Sequence, residues 1–566
     1  MRALAVTTGV IDPKGQRHTY VYNARSQVVA AVNPLSERRT FVFDSQGRRS
    51  AVESGTGGRT SYTYDNNGQI KTVLPPVGGV TTHLRDAMNR VVERIHPVGN
   101  RTSYTYDADG RMTTMVNPLG AVTTYLYDAD QLLATVAPLG SRTTYGYDHS
   151  GNRVRVVDPV GNITTTVYDE LNRQSATINP LGQRTTFGYD LRDNPVKEVS
   201  PIGQITTTVY DEQDRPIAQV DPLGGRTTTI YNAANQSVAS INPIGNRVTT
   251  VYDNLNRSVA AIDPLGNRTT AVYDSASRRI GSINPLGQRT TTVLDGAGNA
   301  IASIDPVGSR TTTIFDLASR PLASVNPLGQ RTTTILDLAG RAVASIDPLG
   351  NRTTSTYDAA GRQIRQRNAL NEITTTVYDA QGRTVASIDP LGNRTTVSYD
   401  AAGRQIRQQN PLQEISTTLY DRASRAVAFI DPLGNRSTTT YDAAGRTVRQ
   451  RNPLNQISTT VYDAANRVVA NVDPLGHRTT STYDAAGRQV RQTNPLGEVT
   501  STVYDATGRL VADVDPLGNR TTSTYDAAGR QIRRRDPLGE ITTTVFDAAG
   551  RPIAAVDPLG NRTSTT

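Results

Sequence analysis

Apolar positions along this chain fall into two kinds of short run that alternate from end to end. One kind, "NRTTSTY" from Asn351, is β-branched and hydroxyl-rich and ends in an aromatic residue. The other, "RAVASI" from Arg341, sets Val343 and Ile346 seven and ten positions after the aromatic slot, here held by Leu336. The pairs Ile217 and Val220, and Val259 and Ile262, repeat that spacing. Runs of six and seven such residues, bounded by turn residues, predict strands.

The interruptions are four residues long and of two types. Asp358-Ala-Ala-Gly361 follows the aromatic slot, and Asp347-Pro348-Leu-Gly350 follows the other run. The leading Asp accepts a local backbone N–H, Pro348 presets φ, and the closing glycines, Gly350 and Gly361, supply a positive φ. Such turns join antiparallel strands. Asn172, Asp193, Asp214, Asn235, Asn256 and Asn466 replace the first turn's glycine and tolerate the left-handed region. Ser277, Ser319 and Ser424 fit it less well. A hairpin of this type sets Asp358 across from Arg362, as a cross-strand ion pair worth roughly a few tenths of a kcal/mol.

The two turns recur together with a step of 21 residues, marked by the tyrosine slot from Tyr22 through Tyr357 to Tyr525. Phe43, Phe315, Phe546, Leu294, Leu336 and Arg85 fill the same slot, and the one exception is a 20-residue step from Tyr127 to Tyr147. One proline slot per repeat holds 25 of the 30 prolines, with Gly55 and Ala369 as substitutes. Residues 1–566 therefore read as one continuous array with no separate catalytic or toxin domain. Met1 falls in a tyrosine slot and the next slot would be residue 567, so the array is expected to start and stop inside a repeat, as a fragment does. The segment from Asn561 to Thr566 is then expected to be an unpaired or frayed edge strand.

Side chains alternate faces along a strand, and 21 is odd. Two regular hairpins per repeat would send successive tyrosines to opposite faces. Because every repeat from 210 to 346 carries the same apolar slots, one of the two turns must add or drop a residue of register. After residue 357 the pattern doubles to 42, "QIRQRN" alternating with "TVASID", which predicts Arg and Ile stripes on one face. The fold class is all-β: tandem hairpins in one long antiparallel meander that twists into a shell-like spiral. A parallel β-solenoid is the rival, with tyrosines stacked at i+21.

Composition narrows function mainly by exclusion. Hydrophobic residues make up 36% with no Trp, which suits a thin half-buried sheet. Cysteine is absent, so neither disulfides nor cysteine-based metal sites exist. No run approaches a membrane span and no signal peptide is evident, so the residues themselves leave localisation unknown. The net charge of +9 comes almost wholly from arginine at turn-flanking positions. Stretches 362–368 and 530–536 concentrate it, but without interleaved aromatics, which disfavours nucleic acid as a partner. The five histidines occupy unrelated slots, and "DADG" at 107–110 lacks the rest of a calcium loop. No catalytic residue, metal site or cofactor is predicted, and the chain reads as non-enzymatic. The pairs Tyr62/Tyr64, Tyr104/Tyr106, Tyr125/Tyr127 and Tyr145/Tyr147 share a face and are candidates for stacking on sugars, although packing of the sheet explains them as well.

"YDAAGR" followed by "DPLGNRTT" at a 21-residue step resembles the YD or RHS repeat of bacterial Rhs proteins, wall-associated proteins, the C component of Tc toxin complexes and the teneurin shell. The resemblance implies a sheet spiralling into a hollow shell that encloses a C-terminal toxin, and a secreted or cell-surface location. Its implied partners are the remaining shell segments and an enclosed toxin or cargo polypeptide. The family's self-cleavage segment and toxin domain have no counterpart in these residues, so neither activity is carried over. A shell segment is the expected role, with a glycan-binding surface adhesin or a truncated reading frame as alternatives.

Overall fold

The computed structural model describes residues 6–11 and 15–564, so Met1 lies outside the described residues, as do Thr565 and Thr566. Within them the chain forms 54 strands and no helix. Strands of six residues ending in the aromatic slot, such as Arg352–Tyr357, alternate with strands of five, such as Gln363–Arg367. Every described pairing is antiparallel and joins neighbours in sequence, which excludes the parallel solenoid.

Both turns fold as their residues dictate. In the first, the Gly361 amide donates to the Asp358 carbonyl at 3.0 Å and the Asp358 amide to the Arg362 carbonyl at 2.9 Å. Gly361 sits at φ 82°. Ser277, Ser319 and Ser424 adopt the same left-handed backbone, at φ 62°, 61° and 63°. The flanking ladder and the Asp-capped turn hold them there against their own preference. In the second turn Asp347 Oδ1 accepts the amides of Leu349 and Asn351, at 2.9 and 2.8 Å, and its Oδ2 accepts Asn351 Nδ2 at 2.8 Å.

The odd repeat length is absorbed where parity requires it. In the Asp-x-x-Gly hairpin Thr356 faces Arg365 but Tyr357 faces Gln363, leaving Ile364 as a bulge residue. The Asp-Pro-x-Gly hairpin has no such shift: Ala344, Ser345 and Ile346 face Thr354, Thr353 and Arg352 in step. The bulge recurs from repeat to repeat, for example at Val209/Tyr210 and Thr524/Tyr525. The single 20-residue step keeps the bulge, at Leu126/Tyr127, and shortens the turn instead, with Asp128 facing Gln131 across Ala129 and Asp130.

One face carries the tyrosine slots. The other carries Arg, Ile, Val, Thr and an alanine slot that is the best buried position of the repeat (Ala218, Ala239, Ala344, Ala386, Ala512). The stripes expected after residue 357 lie on this face, with Arg367, Arg451 and Arg535 directly opposite Ile373, Ile457 and Ile541. Among the described residues no polar or charged side chain is buried and no large side chain is fully enclosed. The sheet is a single layer, stabilised along its ladder.

Arg562–Ser564 is not unpaired: it pairs along one side with Pro552–Val556, because the turn at Asp557–Gly560 closes like every other. The chain divides into two compact units. One comprises residues 1–143, 271–282 and 289–397, the other residues 144–270, 283–288 and 398–566.

Candidate functional site

The chemistry-bearing side chains meet at the Asp-x-x-Gly turn, and there they bind one another. Asp358 Oδ2 accepts Arg362 Nε at 2.7 Å, as the hairpin geometry predicts. Arg362 also donates from Nη1 to the Asp379 carbonyl at 3.1 Å and lies 4.6 Å from the ring centroid of Tyr378. The Tyr378 hydroxyl donates to the Gln363 carbonyl at 3.0 Å. Tyr357 repeats the arrangement one step back, under Arg341 at 4.8 Å and bonded to the Ala342 carbonyl at 2.9 Å. Tyr357 and Tyr378 are thus each bolted to the previous repeat by ring and hydroxyl together. The recurrence of Arg after the turn carried this signal, but only the register shows which tyrosine it reaches.

The hydrogen bonds govern the ionisation of these carboxyls. At Asp337 partial burial opposes the charge, but the backbone amide and guanidinium of Arg341 outweigh it and hold the carboxyl below its usual 3.8. Asp347 is lowered as well, chiefly by the Asn351 side chain. His83 and His96 are held below 6.5, first by burial and then by nearby arginines.

The paired tyrosines of the first third are half-buried on the tyrosine face. Arg48, Arg90 and Arg111 lie over Tyr64, Tyr106 and Tyr127 at 4.5, 4.8 and 5.3 Å, and Arg153 lies 5.5 Å from Tyr145. Tyr62, Tyr104, Tyr125 and Tyr147 complete the pairs on the same strands. No group of three or more metal-ligating side chains is gathered among the described residues. No helix there is long and apolar enough to cross a membrane.

A second feature was not foreseen from the sequence. Within each unit two strips of sheet, about twelve repeats apart, stack turn against turn. In the first unit Asn100 Nδ2 donates to the Ala359 carbonyl at 2.6 Å and the Gly79 amide to the Leu338 carbonyl at 3.0 Å. Gly55 replaces proline where the strips touch: a Cβ there would lie 3.0 Å from the Gly296 carbonyl oxygen. In the second unit Asn246 Nδ2 donates to the Ala506 carbonyl at 2.6 Å, across 260 residues of sequence. A groove of ≈ 630 Å³ runs between these strips, bordered by Pro222 and Pro243 on one side and by Ala465 and Ala486 on the other. The rule is the same in both units: turns of the proline slot in the earlier strip receive turns that follow the aromatic slot in the later one.

The RHS Repeat family matches residues 85–122, 106–136, 127–163, 168–205, 337–373, 378–415, 462–499 and 504–541. The chain is an RHS-repeat protein. Among curated proteins none matches it. In fold this RHS-repeat chain is similar to the crystal structure of TcdB2-TccC3, with a TM-score of 0.60 at 14% identity, covering 96% of this chain and 37% of that one. The Photorhabdus luminescens Tc holotoxin pore matches with a TM-score of 0.56 at 13% identity, over 96% of this chain and 38% of that one. TcdB2-TccC3 without its hypervariable C-terminal region matches with a TM-score of 0.55 at 13% identity, over 98% and 41%. The chain spans about two fifths of the length of these chains, and it shares the fold of the part that it covers.

Proposed function

We propose that this chain is a stretch of shell wall that helps to enclose a toxin or other polypeptide cargo and performs no chemistry itself. The observation that carries the reading is the stacking of strips about twelve repeats apart, turn on turn, within each unit. A meander that packs edgewise on its own earlier strip builds a continuous wall one layer thick, and a wall needs length rather than a catalytic constellation. Likeness of fold to TcdB2-TccC3 over 96% of the chain supports it. The side chains fit the role, since the Asp, Arg and Tyr groups of each repeat are spent on holding neighbouring repeats together. Its partners on this reading are further shell segments and the enclosed polypeptide, and the array from 1 to 566 is all wall. The glycan-binding alternative requires open ring faces, whereas Tyr64, Tyr106, Tyr127 and Tyr145 already stack under arginines.

The test is protease protection on protein isolated natively from the source cells. A non-repeat polypeptide should co-purify and resist protease until the shell is opened with denaturant. If nothing co-purifies, or the co-purifying polypeptide is digested as fast as when free, the enclosure reading fails.

A further inference from the structure

The arginines of the later repeats fall into two populations. One follows the Asp-x-x-Gly turn and is neutralised there: Arg446 and Arg488 each donate to a turn aspartate at 2.7 Å. The other stands on the sheet face opposite the tyrosines. Arg449, Arg491 and Arg533 occupy the slot that holds a buried alanine in the repeats between them (Ala470, Ala512, Ala554), and all three are exposed. Arg451 and Arg535 flank them two residues on, and Arg365 and Arg367 hold the same two places in the first unit. Among the described residues no guanidinium of this second set has an ion-pair partner, because from residue 352 onward every ion pair spans a turn.

The same face holds no carboxylate. Of the described strand residues that share it from Arg352 to Ser564, none is Asp or Glu. Glu414 and Glu498 lie at the turns, where each accepts an asparagine side chain, at 2.6 and 2.7 Å. Between the arginine strands run aliphatic ones: Ile457, Val461 and Val472, all half-buried, separate Arg449 from Arg491. Those two arginines are four strands apart, roughly 19 Å at ~4.8 Å per strand. The face therefore presents cationic bands divided by apolar ones.

This banding selects among anionic partners. Unpaired like charges repel one another, and a partner that supplies carboxylates relieves the repulsion. A single-stranded nucleic acid would stack its bases on aromatic rings, and this face has none, since the tyrosines and Phe429 lie on the other. The unbroken charge of its backbone would also set phosphates against the Ile and Val bands. A polypeptide can match both. We infer that this face binds an acidic polypeptide segment whose carboxylates are interspersed with aliphatic residues. On the enclosure reading the segment belongs to the cargo, so the identity of the partner rests on that reading, while the chemistry of the face does not.

The full chain can be titrated with a fluorescein-labelled peptide of Glu-Leu-Glu-Ser repeats, against poly-L-glutamate, oligothymidylate and phosphatidylglycerol vesicles as rivals. The peptide should bind best, and more weakly as salt rises. Arg449→Gln, Arg491→Gln and Arg533→Gln together should weaken it at least about tenfold. Gln409 already stands on this face where a later repeat has Arg451, so glutamine fits these strands. Arg192→Gln, Arg422→Gln and Arg534→Gln remove the same charge from exposed positions off this face and should leave the affinity within about twofold. Equal losses from the two triples would reduce the effect to net charge and overturn the inference, as would tighter binding of oligothymidylate or vesicles. Parity between poly-L-glutamate and the peptide would overturn the role of the apolar bands. The protease-protection experiment keeps the two readings apart. A protected co-purifying polypeptide that is basic overall would leave enclosure standing and overturn this inference. Peptide binding that is lost with the face arginines, with nothing co-purifying, would uphold the face and sink enclosure.

Discussion

Arg362 covers the ring of Tyr378, the tyrosine of the following repeat, at 4.6 Å from the centroid, while the Tyr378 hydroxyl donates to the Gln363 carbonyl at 3.0 Å. One side chain thereby ties two hairpins through two different atoms. Tyr378→Phe should remove only the hydrogen bond and cost about 1 kcal/mol. Tyr378→Ala should remove ring burial and the cation–π contact as well, for about 2–3 kcal/mol. Hydrogen exchange should show the loss confined to the hairpins around 352–388, because repeat arrays sum nearest-neighbour terms. Equal loss of protection at remote strands would contradict a nearest-neighbour array.

Gly361 separates backbone strain from crowding. A Cβ there would meet only Arg341 Nη1 at 3.7 Å, an ordinary contact, so the cost of Gly361→Val comes from φ 82°. That cost should be roughly 1–2 kcal/mol, again local. Gly361→Asn should cost much less, since asparagine holds the equivalent position at Asn172, Asn256 and Asn466 with φ between 60° and 65°. Thermal melts of the two variants should rank them in that order, and a reversed order would place the cost in packing.

How much of this was legible depends on the range of the interaction. The Asp358–Arg362 pair spans one turn and follows from the motif alone. The bulge at Ile364 was implied without being located, since an odd repeat with constant apolar slots forces a register change somewhere. The Arg362–Tyr378 contact needed the register itself. The stacking of Asn246 on Ala506 crosses 260 residues, and no local rule reaches that far.

Stability should fall in acid, and the sign follows from the carboxyls. Asp337, Asp379, Asp463 and Asp484 are held below 3.8, with burial outweighed by the amide and guanidinium of the arginine after each turn. Their stabilisation is fully present above the unfolded value and lost as pH drops through the lower folded values. Far-UV circular dichroism should therefore hold steady down to about pH 4 and then fall steeply, because many equivalent groups protonate together. Burial and nearby arginines disfavour protonation of His83 and His96 in the folded chain. Their protonation should loosen the strands Thr81–Arg85 and Val91–Ile95 already below pH 6.5, visible as local exchange before the global loss. An acid transition unaffected by replacing Arg341 and Arg383 with Gln would remove the ion pairs from this account.

Deleting single residues distinguishes the turn from the bulge as the keeper of parity. Removing Gly361 shortens a turn, as the chain itself does at Ala129–Asp130, where the bulge survives and Leu126 still faces Ala134. That deletion should be tolerated, with a modest local loss. Removing Ile364 instead makes the hairpin regular, so that one of the two flanking stretches must turn its faces over. Slots such as Val377 and Ile388 would then exchange sides with Tyr378 relative to everything before Tyr357, and the turn-on-turn seating of Ala359 against Asn100 would be lost with them. Size-exclusion chromatography should show the Gly361 deletion eluting as the intact chain and the Ile364 deletion aggregating or swelling. If both deletions behave alike, the bulge is a by-product of the turn rather than the element that lets an odd repeat keep one face.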